Sequence, residues 1–290
     1  MMAFTTSRLL DQIKLKGALP TGRYSDQEVL DVAYDVLISE ITPMMIGYRE
    51  EYYVRYSEET IETGKYSYGF PSRSMGQTLR EVKIVYTNGK VERLSRIEIE
   101  DISTDDSGDP KSFYIMGNNL CVYPTPSTQE GTLRLYYHIR PSKLIEVASA
   151  AQITGIDTGT NTLTFNSLPT TFLDTETYDL IENTGGYEIL SLDLAASSVT
   201  STTVTLSSLP TGLAVGDWLS LSGESPIPYL PQEGHSLLVQ LTVVAFLEYQ
   251  GDRENHGIAM QRAGMIRSSL ENILKLRVEG NPKSLTTPLL

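Results

Sequence analysis

The chain has 290 residues, of which 40% are hydrophobic and 20% charged, as in an ordinary globular protein with one large domain or two smaller ones. Its single cysteine, Cys121, excludes a disulfide framework within one chain. The net charge of −13 is concentrated, because residues 144–252 hold thirteen acidic side chains and no Lys or Arg. Nucleic-acid affinity comes chiefly from Lys and Arg, so we expect no tight DNA binding by this region.

The N-terminal part of the chain carries helix signals. A short helix is predicted from about residue 6 to Gly17, and Ser25 with Glu28 forms a capping box that opens a second helix. Thr42-Pro43 predicts a new helix start, with Thr as the N-cap and Pro in the first helical position. We expect helix to continue as far as residue 56.

The stretch "YREEYYVRY" at residues 48–56 is dense in tyrosine. Tyr48, Tyr52 and Tyr56 fall on one helical stripe and are interpreted first as core residues. Tyr53 and Arg55 lie off that stripe, and Tyr and Arg are favoured at protein interfaces. The five residues therefore form a candidate subunit interface.

From about residue 57 the pattern becomes that of β-strands. Asn88-Gly89 separates two strand-like runs, which is a strong hairpin signal, and a second hairpin turns at Gly117-Asn118-Asn119. In "TLRLYYHI" the apolar residues alternate, as in a strand with one buried face. We expect a compact antiparallel β unit over residues 57–145.

A short phrase is repeated in the middle of the chain. "LTFNSLPT" at 163–170 returns as "VTLSSLPT" at 204–211, and Tyr178 then corresponds to Trp218. Two copies are too few for a solenoid. They favour two related β layers of a small barrel or sandwich, which we place at residues 146–231.

Helical pattern returns at residues 232–280. The run at 237–247 is apolar nearly all round, which indicates a buried helix, and it is about half the roughly 20 residues that a membrane span requires. The last helix repeats small and apolar residues at spacings of three and four, namely Ala259, Ala263, Ile266, Leu270 and Ile273.

These patterns predict an α+β fold. Residues 1–56 and 232–280 form a helical bundle, in which 26–56 pack against 232–277. The antiparallel β unit and the β module with its internal repeat are inserted into that bundle. Residues 281–290 form an extended tail. The N-terminus has no apolar signal-peptide core, so we do not interpret it as a signal peptide.

Catalytic signatures are missing from the sequence. His138, His235 and His256 lie far apart and lack metal-ligand spacing. "DDSGD" at 105–109 lacks the ligand pattern of a calcium loop. We therefore expect no enzymatic activity, no cofactor and no bound metal.

Three stretches together resemble the head–tail adaptor (neck or connector) proteins of tailed bacteriophages. They are "YSYGFPSRSMGQTLREVKIVYTNGK", "FYIMGNNLCVYPTPSTQEGTLRLYYHIRPSKLI", and "VGDWLSLSGESPIPYLPQEGHSLLVQLTVVAFLEYQGD" with the later "RVEGNPKSL". The resemblance spans about residues 65–145 and 210–290, and the β repeat between them is also similar.

The resemblance implies a structural virion protein located at the head–tail interface. It implies a ring, typically of about twelve copies, that docks on the portal protein, contacts a tail or further neck protein, and passes DNA through its channel without sequence-specific binding. An extended C-terminal tail that lies between portal subunits is also implied. The residues given this role are Glu279, Gly280, Asn281, Pro282, Lys283, Leu285, Pro288, Leu289 and Leu290.

An alternative from another class remains open at the sequence level. In a tail-fibre or baseplate protein, the Thr- and Ser-rich β module would bind carbohydrate through exposed aromatic residues. The module offers Phe172, Tyr178, Tyr187 and Trp218 for that purpose. Two of these, Tyr178 and Trp218, occupy equivalent positions of the repeat, which favours a place in the core.

Overall fold

A computed structural model describes residues 4–20, 22–102, 106–129, 131–183 and 189–274. The chain mixes helices and strands, as predicted, and forms two compact units. The helix–barrel unit comprises the described residues of 1–49 and 141–290, and the sheet unit comprises those of 50–140. The finer division of the chain into four segments stays a prediction.

Each terminal region of the described chain is helical. The α-helices are α1 (Thr6–Gly17), α2 (Asp26–Val36), α3 (Thr42–Arg49), α4 (His235–Gln250) and α5 (Arg253–Leu274). A π-helical turn covers Leu37–Ile41, and 3-10 turns cover Glu50–Tyr52, Ile99–Asp101, Val147–Ser149 and Gln232–Gly234.

The start of α2 confirms one sequence signal, and the start of α3 corrects another. Ser25 Oγ accepts a hydrogen bond from the Glu28 amide, while the Ser25 amide donates to the Glu28 carboxylate, which completes the capping box. Thr42 is not an N-cap, because its hydroxyl donates back to the Leu37 carbonyl at 2.7 Å. The π-helical turn joins α2 to α3 and accommodates the missing N–H of Pro43.

The tyrosine-rich stretch is not helical throughout, and the prediction of helix to residue 56 is wrong. Helix α3 ends at Arg49, and strand β1 begins at Val54. β1 pairs along its whole length with a later strand that supplies its backbone hydrogen-bond partners. Aromatic and β-branched residues suit such a paired, half-buried strand, so tertiary pairing overrides the helical spacing.

Helix α4 is the centre of the helical packing. It is buried around most of its circumference, as its composition predicts, and it contacts α1, α2 and α5. Helix α3 also contacts α5. The predicted contact between the two terminal helical regions is therefore present in the α2–α4 and α3–α5 pairs.

The sheet unit contains the strands of residues 54–139. They are β1 (Val54–Thr60), β2 (Ser67–Gly69), β3 (Ser74–Val85), β4 (Val91–Arg93), β5 (Ser95–Arg96), β6 (Ser107–Gly108), β7 (Ser112–Met116), β8 (Asn119–Tyr123), β9 (Thr125–Pro126) and β10 (Thr132–Ile139). One sheet has the order β1-β10-β3-β4 and another the order β2-β8-β7-β5, and β6 pairs with β9.

Both predicted hairpins of the sheet unit are confirmed. Strands β3 and β4 pair across Asn88-Gly89, where Gly89 has a φ of 83°, and β7 and β8 pair across Gly117-Asn118. β5 is parallel to β7, so the unit is not wholly antiparallel. The alternate residues of β10 are buried. Two of them, Leu133 and Leu135, pack in one core with Leu120 and Val122 of the second sheet.

The remaining strands belong to the helix–barrel unit. They are β11 (Lys143–Leu144), β12 (Ala151–Asp157), β13 (Thr162–Phe165), β14 (Thr177–Ile181), β15 (Ile189–Val199), β16 (Thr203–Leu206), β17 (Trp218–Leu221) and β18 (Glu224–Ser225). Strands β12 to β17 close into a barrel with the order β12-β13-β16-β15-β14-β17. The sequence left a barrel and a sandwich open, and the structure has a barrel.

The repeated phrase encodes two equivalent halves of this barrel. Each half supplies three consecutive strands, β12–β14 and β15–β17, and exchanging the halves leaves the neighbour order unchanged. The strands that carry the phrase, β13 and β16, pair directly with Leu163 opposite Val204. The equivalent Tyr178 and Trp218 lie in the adjacent pair β14 and β17 and are both buried.

The barrel is joined to the helices by its two flanking segments. β11 pairs in parallel with β18, and the Thr6 amide of α1 donates to the Pro226 carbonyl at 2.8 Å. A small apolar cluster crosses the join, in which Ile181 and Trp218 of the barrel pack against Ile145 and Ile227. The barrel is therefore connected to the helices by one short two-stranded segment, β11 and β18.

Candidate assembly surfaces

Helix α5 presents an apolar side to solvent. Ile258, Met265 and Ile273 are 63%, 64% and 52% exposed. Spacings of seven and eight residues place the three side chains on one side of a helix. Ala259, Ala263 and Leu270 fill the buried side. Ile273, the last member of the predicted repeat, is therefore exposed, and the adjacent Leu274 is buried in its place.

The predicted portal-binding tail, residues 279–290, lies outside the described residues. The described part of α5 ends at Leu274, where Arg49 of α3 donates hydrogen bonds to the carbonyls of Ile273 and Leu274, each at 3.2 Å. Arg49 thus ties the last described turn of α5 to α3.

The five residues of the candidate subunit interface do not share one environment. Tyr48 lies on α3 and is 39% exposed. In the sheet unit, Tyr53 is fully buried and Tyr52 is half-buried against its ring, while Arg55 is also half-buried. Tyr56 is 53% exposed on β1. The two exposed rings, Tyr48 and Tyr56, are the ones that present accessible surface.

The exposed face of the sheet unit around Tyr56 is an ordered array of rings and charges. The Arg134 guanidinium lies 4.5 Å from the Tyr56 ring centroid, and the Tyr136 ring lies 5.6 Å from it. Arg134 also forms an ion pair with Glu58 at 2.6 Å. Tyr56 is therefore held in place before any partner arrives, which lowers the entropic cost of binding.

The candidate aromatic residues that the structure describes in the barrel are not displayed as a sugar platform would require. Phe172, Tyr178 and Trp218 are 5%, 0% and 7% exposed and belong to the apolar interior or to the join with the helices. Tyr187 lies outside the described residues. The charged residues that the barrel exposes are acidic, namely Asp157, Asp174, Glu176 and Asp193.

The histidines have structural surroundings. His235 is buried and stacks on Phe4 with ring centroids 4.2 Å apart, and burial lowers its pKa to about 4. His138 in the sheet unit lies 4.0 Å from Glu50, and burial lowers its pKa also. In the described part of the chain, no group of three or more His, Cys, Asp or Glu residues could hold a metal ion. Nor is any described helix both long and apolar enough to span a membrane.

Sequence reasoning missed the exposed side of α5. The repeat of Ala259, Ala263 and Leu270 predicts only the buried side of the helix. Ile258 and Met265, seven residues apart, form a second stripe next to it. The available signal in the sequence was the width of the apolar arc on α5, which is greater than one neighbouring helix can cover.

The chain is similar to one protein family. No curated protein matches the chain. The model of one family, described as SU10 adaptor protein, matches residues 5–174, which is more than half of the chain. The matched region includes α1 to α3, the whole sheet unit and the first strands of the barrel. The chain belongs to the SU10 adaptor protein family.

Proposed function

We propose that the chain is a structural virion protein, a head–tail adaptor whose copies form a ring that docks on the portal and joins capsid to tail around a DNA channel. Membership of the adaptor family over residues 5–174 carries this proposal. Three exposed apolar side chains on one side of α5, Ile258, Met265 and Ile273, support it, because such grouped apolar surface is typical of protein contacts.

In this function the terminal helices form the bundle that faces the portal. Ile258 and Met265 of α5 lie on the accessible side of that base. The tail, Glu279–Leu290, follows α5 in the sequence and would enter grooves of the portal. Burying its three leucines, Leu285, Leu289 and Leu290, would contribute roughly 4–9 kcal/mol before the cost of ordering the segment.

The acidic barrel suits a position close to moving DNA. The cation-free stretch 144–252 offers no Lys or Arg to bind phosphate, so it repels DNA and does not retain it. DNA then passes through the channel without sequence-specific contacts. Tyr48 and Tyr56 are proposed as contacts between neighbouring copies or with the tail or further neck protein. Since the described aromatic residues of the barrel are buried, no observation favours the carbohydrate-binding alternative.

Electron microscopy of the purified chain, alone and mixed with its portal, tests the proposal. We expect a ring of about twelve copies seated on one face of the portal. A chain that neither forms rings nor associates with the portal would reject the proposed function.

The tail is tested separately by deleting residues 281–290. We expect the Kd for the portal to rise by roughly tenfold or more, because three apolar side chains lose their pockets. The double substitution Thr286→Ala and Thr287→Ala, in the same segment, serves as the matched control and should leave the Kd within about twofold. Unchanged portal binding by the deletion would show that the tail is not an anchor.

A further inference from the structure

The sheet unit contains a groove with an apolar lining and a cationic mouth. It has a volume of about 530 Å³ and lies beside β3, β4, β5 and β7. Half-buried Leu79 and Phe113 supply apolar surface, and the charged lining residues are Arg80, Glu81, Arg93 and Arg96. Three guanidinium groups against one carboxylate leave the groove with a positive charge.

The positive charge is only partly compensated within the sheet unit. Arg80 pairs with Glu50 at 2.6 Å. Arg93 lies 3.3 Å from Glu81, which also pairs with Lys83 at 2.8 Å. Arg96 is exposed and has no ion pair among the residues that the structure describes. The groove therefore suits an occupant with an apolar side chain flanked by carboxylates.

The barrel displays such a segment in the loop between β13 and β14. Leu173 is 51% exposed, and the neighbouring Asp174 and Glu176 are also exposed. No Lys or Arg occurs between residues 144 and 252 to neutralise the two carboxylates.

The loop is held rigidly on the barrel. Phe172 is buried, and its ring packs on Tyr178 at a centroid distance of 5.0 Å. The Tyr178 hydroxyl donates to the Leu173 carbonyl at 2.7 Å, and the Glu176 amide donates to the same carbonyl at 3.2 Å. Leu173 and its two acidic neighbours are thus presented in a fixed arrangement, which lowers the entropic cost of docking.

We propose that the Leu173 loop of one copy docks in the Arg93–Arg96 groove of a neighbouring copy. Leu173 would contact Leu79 and Phe113, while Asp174 and Glu176 would pair with Arg93 and Arg96. The contact joins two different surfaces of the same chain, and such a head-to-tail contact closes into a ring when its rotation permits. The inference rests on the proposed ring and assigns the surfaces that form it.

The charge complementarity is tested by two double variants. The groove variant carries Arg93→Glu and Arg96→Glu, and the loop variant carries Asp174→Lys and Glu176→Lys. The control carries Lys65→Glu and Lys90→Glu, two exposed cations of the sheet unit outside the groove that pair with Glu62 and Glu92. Circular dichroism of each variant establishes that it is folded before assembly is measured.

Assembly is followed by mass photometry over a concentration series, with and without portal. We expect each double variant alone to raise the half-assembly concentration roughly tenfold or more, and the control to change it less than about twofold. An equimolar mixture of groove and loop variants should recover assembly. In the mixture, the wild-type loop of the groove variant can dock in the wild-type groove of the loop variant. The lysine-bearing loop of the loop variant can dock in the glutamate-bearing groove of the groove variant. Only a contact between different molecules can be restored in this way.

The proposed contact is wrong if either double variant assembles like wild type, or if the mixture does not recover. It is also wrong if the groove variant loses binding to a short DNA duplex while it still assembles, since the groove would then bind phosphate. If wild type and both variants all form rings on the portal, the proposed contact is wrong and the proposed function stands. If self-assembly depends on these charges but no protein binds the portal, the proposed contact stands and the portal-docking function is wrong.

Discussion

Asp179 is a buried carboxylate that ties together segments of the barrel. It is fully buried on β14 and accepts hydrogen bonds from the amides of Asp193 and Gly223, each at 3.0 Å. Asp179→Ala would leave both amides without this acceptor, and we expect a loss of roughly 2–4 kcal/mol in the free energy of unfolding. Urea denaturation measures the loss.

The controls separate the hydrogen bonds from the charge. Asp179→Asn keeps one acceptor oxygen and should cost less than Asp179→Ala. Glu248→Ala, on the exposed side of α4, should change the free energy of unfolding by less than about 0.5 kcal/mol. Equal stability of wild type and Asp179→Ala would contradict the structural role assigned to this carboxylate.

His235 makes the helix–barrel unit sensitive to acid. Burial lowers the pKa of its ring from 6.5 to about 4, and hydrogen bonds with the backbone at Leu230 and Pro228 act in the opposite direction. The folded state therefore favours the neutral ring, and protonation favours unfolding. The contribution of His235 to the free energy of unfolding is fully present above the pKa of the ring in the unfolded chain. It is lost as the pH falls from about 6.5 towards 4, and the total loss is roughly 3 kcal/mol.

This prediction is checked by denaturation between about pH 7.5 and pH 4.5. His235→Phe keeps a ring beside Phe4 and should lose less stability over that interval than wild type, whatever its stability at neutral pH. His256→Gln, a substitution on half-exposed α5 surface, should retain the wild-type pH dependence. A His235→Phe profile parallel to that of wild type would exclude His235 as the source.

At the scale of the element, the two sides of α5 have different roles, one in folding and the other in the proposed assembly. Its buried side packs on α4, whereas Ile258 and Met265 face solvent in the described structure. Ile258→Gln with Met265→Gln should change the free energy of unfolding by less than about 0.5 kcal/mol per site. The same variant should weaken binding to the portal or to other copies, because it removes apolar surface from the contact.

Met260 provides the matched control for this helix. It is 48% exposed, and two residues beyond Ile258 it lies on nearly the opposite side of the helix. Met260→Gln should leave assembly unchanged. Sedimentation velocity of the three proteins with portal makes the comparison. Equal assembly by all of them would exclude the apolar side of α5 as a contact surface.

At the scale of the whole molecule, the barrel begins and ends at one place. Ala151 at the start of β12 pairs with Leu219 near the end of β17, so the two chain ends are separated by about one strand spacing. Replacing residues 151–221 with a short Gly/Ser linker keeps the β11–β18 pair. We expect a folded helical protein whose stability is reduced, because Ile145 and Ile227 lose their contacts with Ile181 and Trp218.

The readout is the far-ultraviolet circular dichroism signal of the helices together with portal binding. Retained helical signal and retained binding are expected from the inserted-module prediction. Collapse of the helical signal would show that the barrel is required for the helices to fold.

The sequence by itself determined the features that local chemistry controls. The capping box at Ser25, the hairpin at Asn88-Gly89 and the alternation of β10 each depend on neighbouring residues and are present as predicted. The repeat predicted related β segments because equivalent core positions require equivalent apolar residues. The adaptor family was also recognisable from three sequence stretches.

Tertiary structure alone decided which competing pattern prevailed. Residues 52–56 carry a helical spacing of tyrosines, yet pairing with β10 makes Val54–Thr60 a strand and buries Tyr53. On α5, Ile273 and Leu274 are adjacent apolar residues, and only the position of α3 and α4 buries one and exposes the other. The groove at Arg93 and Arg96 likewise exists only because β5 pairs with β7 beside the β3–β4 hairpin. Such outcomes depend on which surfaces meet in space, and a periodicity along the chain does not contain that information.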